Sequence, residues 1–239
     1  MINLHIIGVQ KAGTTALASF LQQHPSVYVV DGKEAHIFDH PNYEKQADKK
    51  AFANRKYQHL LSHYTKQKIV CDATPITIFR EDFLRACHQY NPEAKFILIL
   101  RDPTERAISH YHMSREKGAE KRCMLIAFLS EGRRLSKVKQ QTSLPFDSPM
   151  RQHSYLARGL YRRQLQSLYS IVPQEQVLVL EHKQLKNQHG KTMQEIFGFL
   201  GIEQINIEPK VVFSTNKKHK HWSDFIAKLY ARLYFLIHR

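Results

Sequence analysis

The chain has 239 residues, and 42% of them are hydrophobic, which is enough for one sizeable core, so a single domain is predicted. Lys and Arg number 36 against 21 Asp and Glu, giving a formal net charge of +15. Such a basic balance favours an anionic partner, whether a polyphosphorylated nucleotide, an acidic glycan, nucleic acid or a lipid surface. Three cysteines without CxxC spacing argue against a disulfide framework.

Apolar runs at residues 4–9, 27–30, 68–71, 96–100 and 177–180 predict buried strands. Helical periodicity and caps predict helices at 14–23, 43–63, 76–89, 102–117, 124–129, 154–171, 191–200 and 222–238. Polar stretches at 31–40, 137–149 and 211–221 are predicted loops. Because strands alternate with helices and no hairpin is evident, we expect an α/β fold: a three-layer, P-loop-like domain with a mainly parallel central sheet flanked by helices.

Neither a targeting segment nor a metal site is evident. The beginning of the chain lacks the charged segment, long apolar run and cleavage site of a signal peptide, so a cytoplasmic protein is expected. The sequence contains no stretch of roughly 18 apolar residues, so no membrane span is predicted. No group of histidines and cysteines has metal-ligand spacing, and no metal site is predicted.

The first predicted strand ends in a glycine loop that opens a helix. Gly8 and Gly13 have the G-x-x-x-x-G spacing of a phosphate-binding loop, and Thr14 and Thr15 add hydroxyl donors. A Walker A loop places its lysine directly after the second glycine, whereas here the lysine is earlier, at Lys11. The loop therefore predicts an anion site of another kind, and a tight strand–helix turn with a solvated lysine is the alternative.

The fourth predicted strand ends in Arg101, where ATPases usually carry a carboxylate that helps to hold Mg²⁺. The carboxyl ends of strands in open α/β sheets line the ligand crevice, and an arginine there indicates a further phosphate. Ser109, about two helical turns on, is a candidate to join it. The alternative is a structural ion pair between Arg101 and Asp102 or Glu105.

Together these features resemble the PAPS-dependent sulfotransferases, in which 3′-phosphoadenosine 5′-phosphosulfate (PAPS) is the donor. The likeness is closest to the glycan, heparan-sulfate-type branch and related bacterial enzymes, and residues 158–180 are similar to a further helix and strand of the family. The resemblance implies one sulfotransferase domain over residues 1–239 that needs no metal. It assigns Arg101 and Ser109 to the 3′-phosphate. It assigns the 5′-phosphosulfate to the loop residues Lys11, Ala12, Gly13, Thr14, Thr15 and Ala16.

The segment after the second predicted strand resembles the family stretch E-x-H-[FY]-F-D, whose glutamate is the general base. The resemblance implies that Glu34 takes the acceptor proton, with His36 and Asp39 as flanking polar groups. His36 is the alternative base, because a histidine titrates in the right range. Lys11 is placed to neutralise the charge on the bridging oxygen of the departing nucleotide. Composition alone favours a solvated glutamate beside Lys33.

Two segments depart from the family pattern. Ala73 stands where the family often has a lysine that touches the active site, so we expect different acceptor contacts. The last nucleotide-binding loop of the family is rich in lysine and glycine, whereas residues 214–220 here contain no glycine. Lys217 and Lys218 are the candidates for the 3′-phosphate or adenine side, and a solvated charge run is the alternative.

The acceptor is expected to be a carbohydrate or glycolipid rather than nucleic acid, and basic residues at 133–134 and 137–139 suit either an acidic sugar or plain solvent. Apolar residues of the last predicted helix fall at helical spacing. They predict packing onto the domain or, alternatively, peripheral contact with a membrane surface. The apolar residues of this helix are Trp222, Phe225, Ile226, Leu229, Leu233 and Leu236.

A P-loop kinase and a basic nucleic-acid-binding protein are the rival functions.

Overall fold

The computed structural model describes residues 1–138, 141, 143–209 and 222–238. Five parallel strands form one sheet in the order β2-β3-β1-β4-β5. This confirms the predicted mainly parallel sheet, which is entirely parallel in the part of the chain that the structure describes. The strands are β1 (Leu4–Gly8), β2 (Val27–Val29), β3 (Ile69–Asp72), β4 (Lys95–Leu100) and β5 (Val177–Glu181).

Helices cover both faces of the sheet and complete the three layers. On one face α1 and α10 meet through Phe20 and His189, whose ring centroids are 4.6 Å apart. On the other face α2 meets α3 through Tyr57 and Tyr90, at 5.6 Å. The helices are α1 (Thr14–Leu21), α2 (Lys49–Gln58), α3 (Glu81–Tyr90), α4 (Pro103–Glu116), α5 (Met124–Leu129), α6 (Glu131–Ser136), α7 (Pro149–Gln152), α8 (Tyr161–Ile171), α9 (His182–Asn187), α10 (His189–Leu200) and α11 (Trp222–Ile237).

The central strands are buried because helices lie over both of their faces. Every residue of β1 is buried, as are residues 96–99 of β4, and continuous apolar runs of this kind are typical of parallel strands. β1 lies between β3 and β4, with Gly8 paired to Leu98. The chain segments that follow β1 and β4 therefore leave the sheet side by side, at its carboxyl edge.

Several predicted helices have different bounds in the structure. The predicted helix 43–63 is confined to α2, because the Asp48 side chain caps it by accepting from the Ala51 N–H at 2.8 Å. The predicted helix 76–89 divides into a 3₁₀ turn (Thr77–Phe79) and α3. The short helix α9 was not predicted, and a capping box between Glu181 and Gln184 starts it.

The predicted helix 154–171 begins only at α8. The buried Glu131 carboxylate accepts the N–H groups of Leu156 at 2.7 Å and Ala157 at 2.8 Å. These donors are then unavailable to a continuous helix, and a 3₁₀ turn (Ala157–Gly159) precedes α8. A side chain from a distant helix has replaced local hydrogen bonding here.

The C-terminal helix packs through a different face from the predicted one. Its contacts with α4 and α5 use Ala227, Ala231 and Phe235, which are buried. Phe235 approaches Gly159 so closely that a Cβ there would lie 2.6 Å from its ring. No helix among the described residues is long and apolar enough to cross a membrane. The large apolar side chains Phe225, Leu229, Leu233 and Leu236 are exposed.

Candidate active site

The loop between β1 and α1 forms an anion cradle at the carboxyl edge of the sheet. Gly13 adopts φ 96°, a left-handed conformation that favours glycine, and it precedes the first turn of α1. The N–H groups of Gly13, Thr14, Thr15 and Ala16 have no acceptor among the described residues. Unpaired amides at a helix start attract anions, so the residues present fit a phosphate-bearing donor.

Arg101 braces the cradle from the neighbouring strand. Its guanidinium donates to the Lys11 carbonyl at 2.8 Å, and the Tyr161 hydroxyl donates to the Arg101 carbonyl at 2.8 Å. The alternative ion pairing is not observed: Asp102 caps α4, and Glu105 pairs with Lys228 at 2.8 Å. Arg101 therefore lies beside the loop between β1 and α1, and its assignment to the 3′-phosphate stays a prediction.

Lys11 lies at the turn of the loop, with φ 73°. Burial lowers the pKa of its ammonium below the ordinary lysine range, and the nearby positive charges of Arg101 and Lys33 act in the same direction, while Glu116 opposes them. An anion bound in the cradle would relieve this repulsion. Lys11 is thus partly buried rather than fully solvated, and its role at an anion site stays a prediction.

The other predicted donor residues are placed less completely. Ala12 and Thr14 are buried in the loop, while Ser109 lies half-buried on α4 and makes no hydrogen bond with the cradle. The role of Ser109 stays a prediction. Lys217 and Lys218 lie outside the described residues.

Glu34 lies in the segment after β2 and is held by two cations. The Lys33 ammonium is 2.8 Å from its Oε1, and the His36 Nε2 is 3.3 Å from its Oε2. The other ring nitrogen of His36, Nδ1, is 2.8 Å from Asp39 Oδ2. The predicted group of Glu34, His36 and Asp39 is therefore one connected set, and the Glu34 side chain is partly buried rather than freely solvated.

The end of β3 fixes this segment in place. The buried Asp72 carboxylate accepts the Ala35 N–H at 3.3 Å and the Thr74 hydroxyl at 2.6 Å. Ala73 is fully buried, and its N–H donates to the Lys33 carbonyl at 3.1 Å. The Ala73 position thus supports the backbone of the Glu34 segment, and Lys33 supplies the ammonium group beside the glutamate.

The charges of this set are coupled. Burial alone would raise the pKa of Glu34, but the hydrogen bond and charge of His36, together with Lys33, outweigh it and lower that pKa to about 2. Burial alone would lower the pKa of His36, but Asp39 and Glu34 raise it to about 9. At neutral pH Glu34 is therefore a carboxylate able to accept a proton, while His36 is an imidazolium already carrying one.

Arg151 completes the set and was missed by the sequence analysis. Its guanidinium donates to both the Oδ2 and the main-chain carbonyl of Asp39, 112 residues away. Both side chains are buried, and Arg151 Nε also donates to the Leu144 carbonyl at 3.2 Å. No sequence pattern links an arginine in α7 to the segment after β2, so only the structure reveals this contact.

A second missed arginine supports the donor loop. Arg158 donates to the Gln10 side chain at 2.7 Å and to the Ser154 hydroxyl at 2.7 Å. Its guanidinium is 4.9 Å from the centroid of the Phe79 ring. Arg158 belongs to a stretch that resembles the family, which was the available signal. No three His, Cys, Asp or Glu side chains are grouped as metal ligands in the described ranges.

An open parallel sheet with an amide cradle after β1, a lysine inside that loop and an arginine after the neighbouring strand define a P-loop-like α/β domain with an anion site at its carboxyl edge. The chain belongs to the sulfotransferase family, since the family model of the sulfotransferase domain matches residues 2–224. The resemblance drawn from the sequence is thereby confirmed.

Named relatives and solved structures agree with this family. Mouse heparan sulfate glucosamine 3-O-sulfotransferase 3B1 is 27% identical over 212 residues, which are 89% of this chain and 49% of that protein. Human heparan sulfate glucosamine 3-O-sulfotransferase 6 is 34% identical over 112 residues, 47% of this chain and 30% of that protein. The chain spans about half the length of the 3B1 relative.

Two solved structures show the same fold. A sulfotransferase from Alicyclobacillus acidocaldarius superposes with a TM-score of 0.73 at 24% identity, covering 100% of this chain and 96% of that one. Mouse sulfotransferase SULT7A1, solved in complex with PAP, superposes with a TM-score of 0.52 at 18% identity, covering 86% and 60%. The predicted P-loop-like fold is confirmed.

Proposed function

We propose that the protein transfers the sulfuryl group of PAPS to a hydroxyl, or an amine, of a carbohydrate-type acceptor. The observation that carries the proposal is the meeting of an anion cradle and an ionised glutamate at one edge of the sheet. Lys33 connects the cradle with the glutamate. Its ammonium contacts Glu34 and is also close enough to Lys11 to lower the pKa of the Lys11 ammonium.

The donor side binds and neutralises charge. The free amides of residues 13–16 suit the 5′-phosphosulfate, and Arg101 suits the 3′-phosphate. PAPS supplies the sulfuryl group and leaves as adenosine 3′,5′-bisphosphate. The Lys11 ammonium offsets the charge that develops on the oxygen joining sulfur to the nucleotide. A complex of SULT7A1 with PAP supports this choice of donor.

On the acceptor side Glu34 is the general base. A bond forms between the acceptor oxygen and sulfur, the bond from sulfur to the nucleotide oxygen breaks, and the hydroxyl proton moves to the Glu34 carboxylate. The in-line transfer depends mainly on positioning and charge. The raised pKa of His36 supports Glu34 as the base, since His36 is protonated at neutral pH.

Two rival functions fit the site less well. A P-loop kinase needs a lysine after Gly13 and a carboxylate after β4, where this chain has Thr14 and Arg101. A nucleic-acid-binding protein needs a basic stripe that follows the backbone of its partner, whereas Lys11 and Arg101 are gathered at the amide cradle.

Thermal stabilisation tests the donor directly, because a ligand that binds the native state raises its stability. We expect adenosine 3′,5′-bisphosphate without metal to raise the melting temperature more than ATP with Mg²⁺ does. Stabilisation by ATP–Mg²⁺ alone would rule out the proposed donor. Labelled PAPS offered to glycans, glycolipids and phenols then identifies the acceptor. The names of the heparan sulfate relatives support a carbohydrate.

For location, the protein is still predicted to be cytoplasmic, and contact of α11 with a membrane surface stays the alternative that the sequence left open. Phe225, Leu229 and Leu233 are exposed on α11, and Ile126 and Leu129 are exposed on α5, the helix that α11 packs against. The net charge of +15 suits an anionic lipid surface. Co-sedimentation with phosphatidylserine vesicles tests this, and Leu229→Glu should reduce it; equal recovery of both proteins would refute the contact.

A further inference from the structure

Arg158 connects the two sides of the candidate active site. Its side chain is buried, and its Nη1 donates to Gln10 Oε1 at 2.7 Å, in the loop between β1 and α1. Its Nη2 donates to the main-chain carbonyls of Met150 at 3.2 Å and Arg151 at 3.0 Å, both in α7. Its Nε donates to the Ser154 hydroxyl at 2.7 Å. One guanidinium therefore ties the donor loop to α7.

From α7 the contacts continue to the proposed base. The Arg151 guanidinium holds Asp39. The Oδ2 of Asp39 is 2.8 Å from His36 Nδ1, and His36 Nε2 is 3.3 Å from Glu34 Oε2. On the other side, the glutamine that accepts from Arg158 directly precedes Lys11 in the chain. An unbroken series of contacts thus joins the lysine of the donor loop to the glutamate that would take the acceptor proton.

The turn that carries Arg158 is itself fixed from two other helices. The buried Glu131 carboxylate of α6 accepts the N–H groups of Leu156 and Ala157, at 2.7 and 2.8 Å. From α11 the Phe235 ring packs so closely on Gly159 that a Cβ there would lie 2.6 Å from it. The guanidinium therefore projects from a rigid support rather than from a free loop.

The position of this arginine is costly, which argues that its hydrogen bonds matter. Burial lowers the pKa of the Arg158 guanidinium, and the positive charges of Arg106 and Arg151 act in the same direction, while Glu131 and Asp39 oppose them. Its hydrogen-bond acceptors among the described residues are neutral oxygens and include no carboxylate. A buried charge is tolerated when its donors are satisfied. Here they are satisfied by two segments 148 residues apart in the longest case.

We infer that Arg158 is a positioning residue that sets the placement of Lys11 relative to Glu34. It acts through Gln10 on the donor loop and through Arg151 on the acceptor side, not by touching the reacting atoms. The inference rests on the proposed function, in which the acceptor oxygen, the sulfur and the departing oxygen must be in line. Small displacements of aligned groups cost large factors in rate.

Hydrogen exchange measured by mass spectrometry tests the link without any transfer reaction. Adenosine 3′,5′-bisphosphate, added to wild type, should slow amide exchange in residues 8–16 and also in residues 150–158. In Gln10→Ala the slowing should be confined to residues 8–16. Gln10 is only half-buried, so this variant cuts the link without opening the core. Gln22→Ala, at an exposed site at the end of α1, is the control and should behave as wild type.

Turnover gives a second measurement, with labelled PAPS and heparan sulfate as the substrates. In Gln10→Ala we expect kcat to fall about tenfold from the lost alignment. The Kd for adenosine 3′,5′-bisphosphate should stay within about twofold, because the cradle amides and Arg101 remain. Gln10→Glu keeps an acceptor oxygen for Arg158 and should restore kcat at saturating donor. Arg158→Lys combined with Gln10→Ala should be no slower than Arg158→Lys alone, because both changes break one contact.

Three results would overturn the inference. In wild type, protection confined to residues 8–16 would show that the two sides are not linked. A loss in Gln10→Ala that appears in donor Kd and not in kcat would show that Arg158 only supports the cradle. Independent, multiplying effects of the two substitutions on kcat would show that they act by different routes.

The exchange experiment also separates this inference from the proposed function. If the nucleotide protects both segments but no sulfuryl group is transferred, the link stands and the proposed function fails. If transfer occurs while protection stays within residues 8–16, the proposed function stands and the link is wrong. Pyrophosphate, which needs only the amide cradle, replaces the nucleotide as the probe if the nucleotide does not bind; a failure of both to bind would overturn the cradle and the link together.

Discussion

The proposed donor side and the proposed acceptor side of the candidate active site are built in different ways. The cradle uses main-chain amides of one continuous segment, residues 13–16, and its loop is braced by Arg101 after β4 and by Arg158 before α8. The acceptor side uses side chains from separate parts of the chain, which meet as the series Glu34, His36, Asp39 and Arg151.

This contrast indicates how each side responds to change. A backbone cradle depends on φ and ψ values and tolerates many side chains. A series of charges depends on every member, because removing one leaves a neighbour buried or wrongly ionised. We therefore expect substitutions at Glu34 or Arg151 to have larger effects than a change in the cradle, and the five predictions below run from the largest expected effect to the smallest.

The largest effect is expected from Glu34→Gln. The amide keeps the shape of the side chain but cannot take the acceptor proton, so kcat should fall by about 10²–10⁴-fold, the range for a positioned base. Binding of adenosine 3′,5′-bisphosphate, measured calorimetrically, should be unchanged. Glu195→Gln, at an exposed site on α10, is the control. Full turnover by Glu34→Gln would contradict the assignment of the base.

The next effect is expected from Arg151→Met, which leaves the buried Asp39 without its guanidinium. Breaking a buried ion pair from one side costs about 3–5 kcal/mol of folding free energy, measurable by urea unfolding. Asp39→Asn combined with Arg151→Met removes both charges and should recover much of the stability. A single variant as stable as wild type would show that the pair contributes little.

Arg151→Lys tests whether the geometry of the guanidinium matters in addition to its positive charge. It keeps a positive charge but loses the fork that holds both Asp39 oxygens. We expect kcat to fall while donor binding is kept, because His36 and Glu34 lose their fixed orientation. Unchanged kcat would show that the charge alone is sufficient.

The fold could be predicted from the sequence where local pattern decides it. Residues 96–100 were predicted as a strand and form β4, and residues 124–129 form α5 as predicted. The donor loop likewise depends on the spacing of Gly8 and Gly13. The Glu34 assignment needed the family resemblance, because a glutamate beside Lys33 carries no local signal of its own.

Features that depend on distant contacts could not be predicted. The Asp39–Arg151 pair spans 112 residues and appears only after folding. The packed face of α11 was also missed, because Ala227, Ala231 and Phe235 form it rather than the larger apolar residues that periodicity selected. The Phe235 ring fits beside residue 159 because that residue is glycine, a contact that only the folded chain shows.

A smaller effect is expected from Gly13→Ala on the donor side. Alanine at φ 96° costs about 1–2 kcal/mol, and its Cβ would lie 3.3 Å from the His182 ring. The shifted loop should bind adenosine 3′,5′-bisphosphate more weakly, measured by calorimetry. Gly118→Ala is the control, since Gly118 has φ 72° and open space around it. It should lose similar stability yet keep binding; equal loss of binding would contradict a backbone cradle.

The smallest effect is a dependence of stability on pH that comes from His36. Its pKa in the folded protein is about 9, above the ordinary 6.5, so folding favours the protonated ring. This stabilisation is fully present below pH 6.5 and is lost as the pH rises through 9. The ring is about one-third exposed, so solvent screening keeps the effect modest.

Urea unfolding of wild type and His36→Gln between pH 6 and 10 measures the contribution of His36 as a difference between their free energies of unfolding. Glu131, whose pKa burial raises to about 7, titrates in the same window, but it is common to both proteins and cancels. We expect wild type to lose stability relative to the variant between pH 6.5 and 9. A difference that is flat across this window would show that His36 is neutral in the folded protein, which would return it to candidacy as the base.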